Sequence, residues 1–470
     1  MTDILIAHCN HLFLDPKQER KMQPYPPRQT MLAAACLRCA GFSVALFDPT
    51  LQEPESGFAD ALSAHSPRLV FLCEDNFNFL TKMCLTRNRE LAFHMARLAR
   101  GAGIPVVAAG SDVTDRCLDY LQNGVDFALP GEVEATICEL AENLLDGGPG
   151  EVDQVAGVTW REARTGRVRV NPRRAPIENL DSLPLPAWDL VDVEAYREAW
   201  LAAHGYFSLN LAASRGCPYH CNWCAKPVFG SGYRTISAAR TAEEVAFLKW
   251  TYKPDQIWFA DDIFALSPSW AQAFANAVEA FDARIPFKMQ SRCDLMTRPV
   301  VSALRRAGCV EVWMGAESGS QKVLDNMEKG IRVEQIAQAC RNVHAQGIRP
   351  CLFLQFGYPG ETWDDILQTV RMVREARPHD VGISVSYPLP GTRFFDMVSA
   401  QLGSKRNWEH SDDLAMMFQG PYTSEFYRAL RDALHLEVSG GEGREAAWRK
   451  VEAMEKTSAA ASPTMLWTCC

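Results

Sequence analysis

The chain has 470 residues, 47% hydrophobic and 22% charged, with a formal net charge of −9, a length that holds more than one domain core. No apolar run reaches the ~18–20 residues needed to span a bilayer, and "MTDILIAHCNHLFLDP" at the N-terminus lacks the basic and long apolar regions of a signal peptide. A nucleic-acid backbone is not the expected partner, because binding one needs a concentrated basic surface.

Residues 1–148 alternate short apolar strands, ILIAH (4–8), SVALF (43–47), RLVFL (68–72), PVVAAG (105–110) and DFAL (126–129), with helical patterns near 28–40, 87–100, 113–122 and 132–145. Gly41, Gly101, Gly124 and Gly147 stand where C-caps would close those helices. The alternation predicts a Rossmann-like parallel sheet covered on both faces, with its ligand beyond the carboxyl ends of the strands. No G-x-G-x-x-G follows the first strand, so a nicotinamide dinucleotide is not expected there.

Residues 149–205 form a connector, with a hairpin about the "TG" of "GVTWREARTGRVRVNP" and an extended Pro-punctuated stretch, "NLDSLPLPAWDL". Over 206–398 the alternation resumes with strands at 209–213, 256–260, 287–291, 310–314, 351–356 and 381–386. Thr241 with Glu244 and Thr362 with Asp365 have capping-box spacing, and Gly308 and Gly347 end two helices. Six such units predict an open, partial (β/α)6 barrel whose chemistry gathers at the carboxyl ends of its strands. Residues 399–470 are less regular, with a helix expected near 423–436 and a mobile end.

Polar residues follow every barrel strand: the cysteine loop "SRGCPYHCNWCAKP" (214–227), then Asp261–Asp262, Arg292–Cys293–Asp294, "GAESGS" (315–320), "GYPGET" (357–362) and "YPLPGT" (387–392). Most of the sixteen cysteines, Cys36, Cys39, Cys138, Cys309 and Cys340 among them, lie in apolar stretches and read as free core thiols, not as a disulfide framework. Cys217, Cys221 and Cys224 are different. Three thiolates at C-x3-C-x2-C can hold a [4Fe-4S] cluster and leave one iron open to S-adenosylmethionine. The alternative is structural zinc with Cys293 or His220 as fourth ligand.

C-x3-C-x2-C after the first barrel strand resembles the radical S-adenosylmethionine (SAM) superfamily. "PPRQTMLAAACLRCAGFSVALFD", "AAGSDVT" and "DFALPGEVEATICELAENLL" resemble the cobalamin-binding domain of one branch of it. "ENLDSLPLPAWDLVD", "FADDIFAL", "GAESGSQKVLDNMEKG" and "FGYPGETWDDILQTV" resemble that branch's linker and barrel motifs. Within the branch the chain is similar to the group of the anaerobic magnesium-protoporphyrin ester oxidative cyclase and the hopanoid-associated enzymes.

The resemblance implies Cys217, Cys221 and Cys224 as cluster ligands, shielded by Tyr219 and Trp223. It implies Asp261, Asp262, Arg292, Glu317, Ser318, Gly357, Pro359 and Gly360 around SAM, and Cys293 and Tyr387 as catalytic candidates. Cobalamin would be lined by Gly110, Ser111, Asp112, Gly131 and Glu132. The usual Asp-x-His-x-x-Gly loop is absent; His8 and His11 stand in its region without the Asp and Gly context, so cobalamin is expected without a protein histidine on the metal.

The implied activity is methylation of an unactivated carbon of a small or lipid-like substrate in the cytoplasm, with flavodoxin or ferredoxin as external electron donor. Oxidation, cyclisation or rearrangement without methyl transfer is the alternative. A methylthiotransferase would need a second cluster on Cys9, Cys73 and Cys36 or Cys39, but the first helix carries the last two away from the ligand-binding edge. A zinc-stabilised scaffold or cobalamin sensor is the non-enzymatic reading. Cys469 and Cys470 end the chain as a tail or as a thiol pair that reaches the site.

Overall fold

The structure, a computed structural model, describes residues 2–77, 83, 85–145, 152–162, 165–403, 407–411 and 413–461. Gly147, Cys469 and Cys470 lie outside the described residues.

The first sheet has seven strands: β1 (Ile4–Ala7), β2 (Val44–Phe47), β3 (Leu69–Cys73), β4 (Val106–Ala109), β5 (Phe127–Leu129), β6 (Thr159–Arg161) and β7 (Val168–Val170), in the order β2-β1-β3-β4-β5-β6-β7. The first five are parallel, and successive residues feed two separate apolar layers: Ile4 and Ile6 one face, Leu5 and Ala7 the other. That is why these strands read as continuous apolar runs. The expected hairpin forms, and it continues the sheet: β6 pairs antiparallel with β5, and Trp160 stacks on Phe127 at 6.5 Å.

Four details of this unit differ from expectation. The helix Pro54–His65 escapes notice because it buries only Pro54 and Phe58, leaving little apolar period to read. The stretch 113–122 is two short helices, Ser111–Asp115 and Cys117–Gln122, broken at Arg116. The last helix begins at Glu134, not 132. Gly101 is still helical, and the left-handed turn falls to Gly103 (φ 76°).

β8 (Ser208–Leu211) opens the second unit and is followed by β9 (Ser214–Arg215), which pairs antiparallel with β10 (Arg234–Thr235). The second sheet joins β8 to β11 (Gln256–Phe259), β12 (Phe287–Arg292), β13 (Cys309–Glu317), β14 (Arg349–Phe356) and β15 (Asp380–Val385), all parallel and in sequence order from β8 to β15. Thr362 and Asp365 form their capping box. Thr241 and Glu244 do not: Ser237 caps a helix that starts at Ala238, Thr241 bonds back to the Ser237 carbonyl, and Glu244 pairs with Arg28.

The sheet does not close on itself, so β8 and β15 are its edges. An arm of the first unit, residues 15–27, reaches both. Tyr25 Oη lies 3.2 Å from Ser208 Oγ, Asn210 donates to the Pro26 carbonyl (3.1 Å), and the Lys21 ammonium feels Asp380 at the start of β15. The C-terminal region holds the expected helix (Ser424–Ser439) and a second one, Arg444–Ala461, where a mobile end was expected. Among the described residues no helix is long and apolar enough to cross a membrane.

Candidate functional site

The cysteine loop springs from a narrow neck. After β8, Asp261 accepts from the Ala213 N–H (3.0 Å) and from the Ser214 hydroxyl (2.5 Å) and is wholly buried, which pushes its carboxyl up to about 7. Its oxygens therefore hold the loop in place rather than face a cofactor, unlike the sequence expectation; Asp262 beside it is less buried. Gly216 turns at φ 79°, and the Cys217 N–H reaches the Gly230 carbonyl at 3.4 Å. Asn222 ties the loop to the helix end after the fourth strand, donating to the Asn326 carbonyl (2.7 Å) and accepting from Tyr358 Oη (3.2 Å). Trp223 packs on the apolar group of Val323, Met327 and Tyr358.

Cys217, Cys221 and Cys224 are all half-buried and free. The Cys217 and Cys224 thiols are pushed up by burial, Cys224 to about 12, and next to those of their neighbours they also feel Asp262. A metal bound at Cys217 and Cys224 would have to displace the proton that burial keeps on each thiol. Neither proposed zinc partner is at hand: His220 is exposed, and Cys293 is buried in the barrel wall with its thiol toward the Gly315 carbonyl. Among the described residues no three His, Cys, Asp or Glu side chains converge on a single-ion site; ligands around a four-iron cube stand wider apart.

Arg292 lies over the loop. Its guanidinium is 3.6 Å from the centre of the Tyr219 ring and 4.0 Å from Cys221 Sγ, and it pairs with Asp294 (2.9 Å). Cys293 is 2% exposed, its thiol raised by burial, so the expected catalytic role meets a core side chain. Arg292 and Cys293 are adjacent, and only the first faces the loop. Tyr387 stacks edge-on to Trp408 (4.2 Å) in an apolar group with Leu85, Leu389 and Met417.

Glu317 sits at a β-bulge with φ 61°, uncommon for a residue with a side chain. It holds Lys329 Nζ at 2.7 Å, both groups being buried. Ser318 turns away, to Thr369 on the helix Trp363–Ala376. Gly357 (φ 78°) gives its N–H to Glu361 (2.7 Å), while Gly360 (φ 82°) faces open space and Pro359 lies between them.

Glu361 is buried with one oxygen unpartnered, and burial pushes its carboxyl from 4.5 up to about 8. The native chain therefore keeps a proton that the unfolded chain releases, so this group's contribution to stability is whole below pH 4.5 and lost as pH rises toward 8, at roughly 1.4 kcal/mol per pH unit. Denaturation of Glu361→Gln across that range should show a shallower decline than wild type, with the variant the more stable of the two at pH 8. Equal slopes would refute the assignment.

The carboxyl edge of the first sheet faces this mouth. Arg28 bonds Glu244 (2.6 Å) and the Ala212 carbonyl, and Phe77 meets Phe229 of the cysteine loop at 5.3 Å. At this seam four polar atoms lack partners among the described residues: His8 Nδ1, Gln29 Oε1, Asn76 Oδ1 and Glu134 Oε2. His8 is held neutral by burial, and His11 bonds the Pro49 carbonyl. Cys9 and Cys73 are buried at the same edge, while Cys36 and Cys39 lie late on the helix Arg28–Cys39, Cys39 being exposed.

The expected cobalamin lining is otherwise engaged. Gly110 (φ 144°) is covered by the Glu74 carboxylate, and Asp112 is held by Arg89 (2.5 Å) and Tyr120 (3.0 Å), with Ser111 buried between them. Gly131 donates to Thr114, and Glu132 pairs with Arg215 (3.0 Å) and Arg234. Arg215, Arg234, Glu134, Gln29, Lys329 and Asn76 went unremarked in the sequence. The partners of Arg215, Arg234, Glu134 and Gln29 are distant in the chain, and only the position of Arg215, two residues before Cys217, hinted at a role.

Residues 211–373 match the family model of the radical SAM superfamily. The chain is 29% identical over 60% of its length to an uncharacterized methyltransferase of Pyrococcus horikoshii, of which it covers 60%. It is 26% identical over 80% of its length to the hopanoid C-3 methylase of Methylococcus capsulatus, covering 69% of that protein. Its fold resembles the radical SAM methyltransferase TsrM of Kitasatospora setae, solved with cobalamin and a [4Fe-4S] cluster: TM-score 0.68 at 20% identity, over 85% of this chain and 78% of that one.

Proposed function

Residues 211–373 are a radical SAM domain, and on that premise we propose that the chain is a cobalamin-dependent radical SAM enzyme that methylates an unactivated carbon of a small or lipid-like substrate. The observation that carries it is the facing of two edges: a loop with three free thiols at the mouth of a six-stranded parallel sheet, opposite a seam of unpartnered polar atoms on a Rossmann-like sheet. Unpaired buried acceptors at Gln29, Asn76 and Glu134 suit a ligand rich in amide donors, as cobalamin is.

When bound, the cluster supplies the electron that cleaves SAM to a carbon radical, and methylcobalamin the methyl group. The chain's own side chains prepare that chemistry. Cys217, Cys221 and Cys224 would hold the iron. Arg292, stacked on Tyr219, lies against Cys221 and would shield one side of the cluster. Glu317, paired with Lys329 in a strained turn, and the Gly357–Gly360 loop would position SAM. His8, buried and neutral, would face the corrin without being required on the metal. The apolar group around Tyr387 and Trp408 favours a substrate with a hydrocarbon face. Reduction would come from an external flavodoxin or ferredoxin in the cytoplasm.

Chain made without oxygen in cobalamin-supplied cells should carry about four irons and one cobalt, and should transfer the labelled methyl of SAM to product. Four irons with product that gains no methyl mass would favour oxidation, cyclisation or rearrangement. Absence of 5′-deoxyadenosine would sink both.

A further inference from the structure

The neck of the cysteine loop sets two arginines face to face. Arg215 and Arg234 are direct partners in the β9–β10 ladder, and their side chains are only 4% and 10% exposed. Like charges opposed across strands repel, and a buried guanidinium without a counter-charge is strongly unfavourable.

Both counter-charges come from the first domain. Glu132 bridges the two arginines, and Glu134 takes the second edge of Arg215. Glu132 stands in the turn after β5 and Glu134 at the start of the helix that follows, on the ligand-binding edge, and Glu134 is itself fixed by Gln29 Nε2 at 3.1 Å. Within the loop, the Arg215 guanidinium lies 5.1 Å from the centre of the Phe229 ring, and Cys217 is two residues away.

We infer that Glu132 and Glu134 are positioning residues for the iron–sulfur cluster: the first domain supplies the charge that shuts the neck, so cluster retention and reduction potential depend on that domain and not on the barrel alone. The inference rests on the cluster reading given under Proposed function. It concerns residues that do not touch the cluster and that act on it through Arg215 and Arg234.

The test uses the full chain with its cluster assembled anaerobically. Glu132→Gln leaves a surplus cation at the neck. Its cluster should bleach under chelator about tenfold faster than wild type, in keeping with the cost of stranding one partner of a buried ion pair. Its midpoint potential, followed by electron paramagnetic resonance, should move positive, because the uncompensated guanidinium stabilises the more negative reduced cluster. Adding Arg234→Gln removes that cation and should restore both properties to within about twofold of wild type.

Glu244→Gln breaks a different buried pair between the domains and should leave the potential unchanged. A Glu132→Gln cluster that bleaches and titrates like wild type or like Glu244→Gln overturns the clamp, and so does failure of the double variant to recover. A wild-type chain that takes up no four-iron cluster overturns instead the functional reading beneath it.

Discussion

Replacing Gly216 by alanine should leave the two domains folded and nearly empty of iron. Gly216 adopts φ 79°, which costs an alanine about 1–2 kcal/mol, and the larger difficulty is space. A Cβ there would run into the Gly232 carbonyl and lie 3.0 Å from the Gly230 oxygen and 3.1 Å from that of Phe229. All three are backbone atoms of the loop's returning limb, so no side chain can swing aside. One limb has to move, and the first carries Cys217 on the next residue, bonded to Gly230. Iron and sulfide counts should fall from about four per chain to below about one, with the far-ultraviolet circular dichroism unchanged. Gly360→Ala is the matched control: φ is 82°, with nothing within 4 Å of the Cβ position, so it bears the conformational cost alone and keeps its cluster. Full iron in Gly216→Ala would show that the neck tolerates being opened.

The contrast between these glycines marks what the sequence disclosed. Spacing alone singled out the three cysteines, because C-x3-C-x2-C is a local pattern and its chemistry needs no knowledge of the fold. Strand positions and a parallel sheet followed from alternation, since β1, β3 and β4 inside the first sheet are buried on both faces. Residues whose partners are remote were opaque. Asp261 was read as a cofactor contact from its place after a strand, yet its oxygens bind Ala213 and Ser214 48 and 47 residues earlier. Cys293 shares a strand end with Arg292, and a period of two cannot say which of two neighbours at a 3-10 turn faces the mouth. Glu132 was read as a cobalamin contact from its place after a strand, and its oxygens meet two arginines 83 and 102 residues on.

The same remoteness hides the arm that covers the open side of the barrel, and Trp200 is its anchor. The indole is 1% exposed, donates to the Pro24 carbonyl at 2.7 Å, and meets the rings of Tyr25, His204 and Tyr206 at 5.0–5.3 Å. His204 in turn bonds the carbonyls of Lys21 and Met22. Trp200→Ala removes the ring on which these groups converge and leaves the Pro24 carbonyl without a donor. Truncation of a buried tryptophan typically costs about 3–5 kcal/mol, and here the loss is shared between two domains, since Trp200 belongs to the connector and Pro24 to the first unit. The denaturation midpoint should therefore fall, and limited proteolysis of the native chain should cut within residues 15–27 at a rate the wild type does not show. Trp250→Ala calibrates the measurement: that ring is 60% exposed and meets the Lys249 ammonium, so its removal should change stability by less than about 0.5 kcal/mol. If Trp200→Ala is cut no faster than Trp250→Ala, the arm is held without the indole, by its contacts with the edge strands and Ser411. Faster cutting with the cluster intact would separate closure of the barrel's side from closure of its mouth, where Arg215 and the two glutamates act.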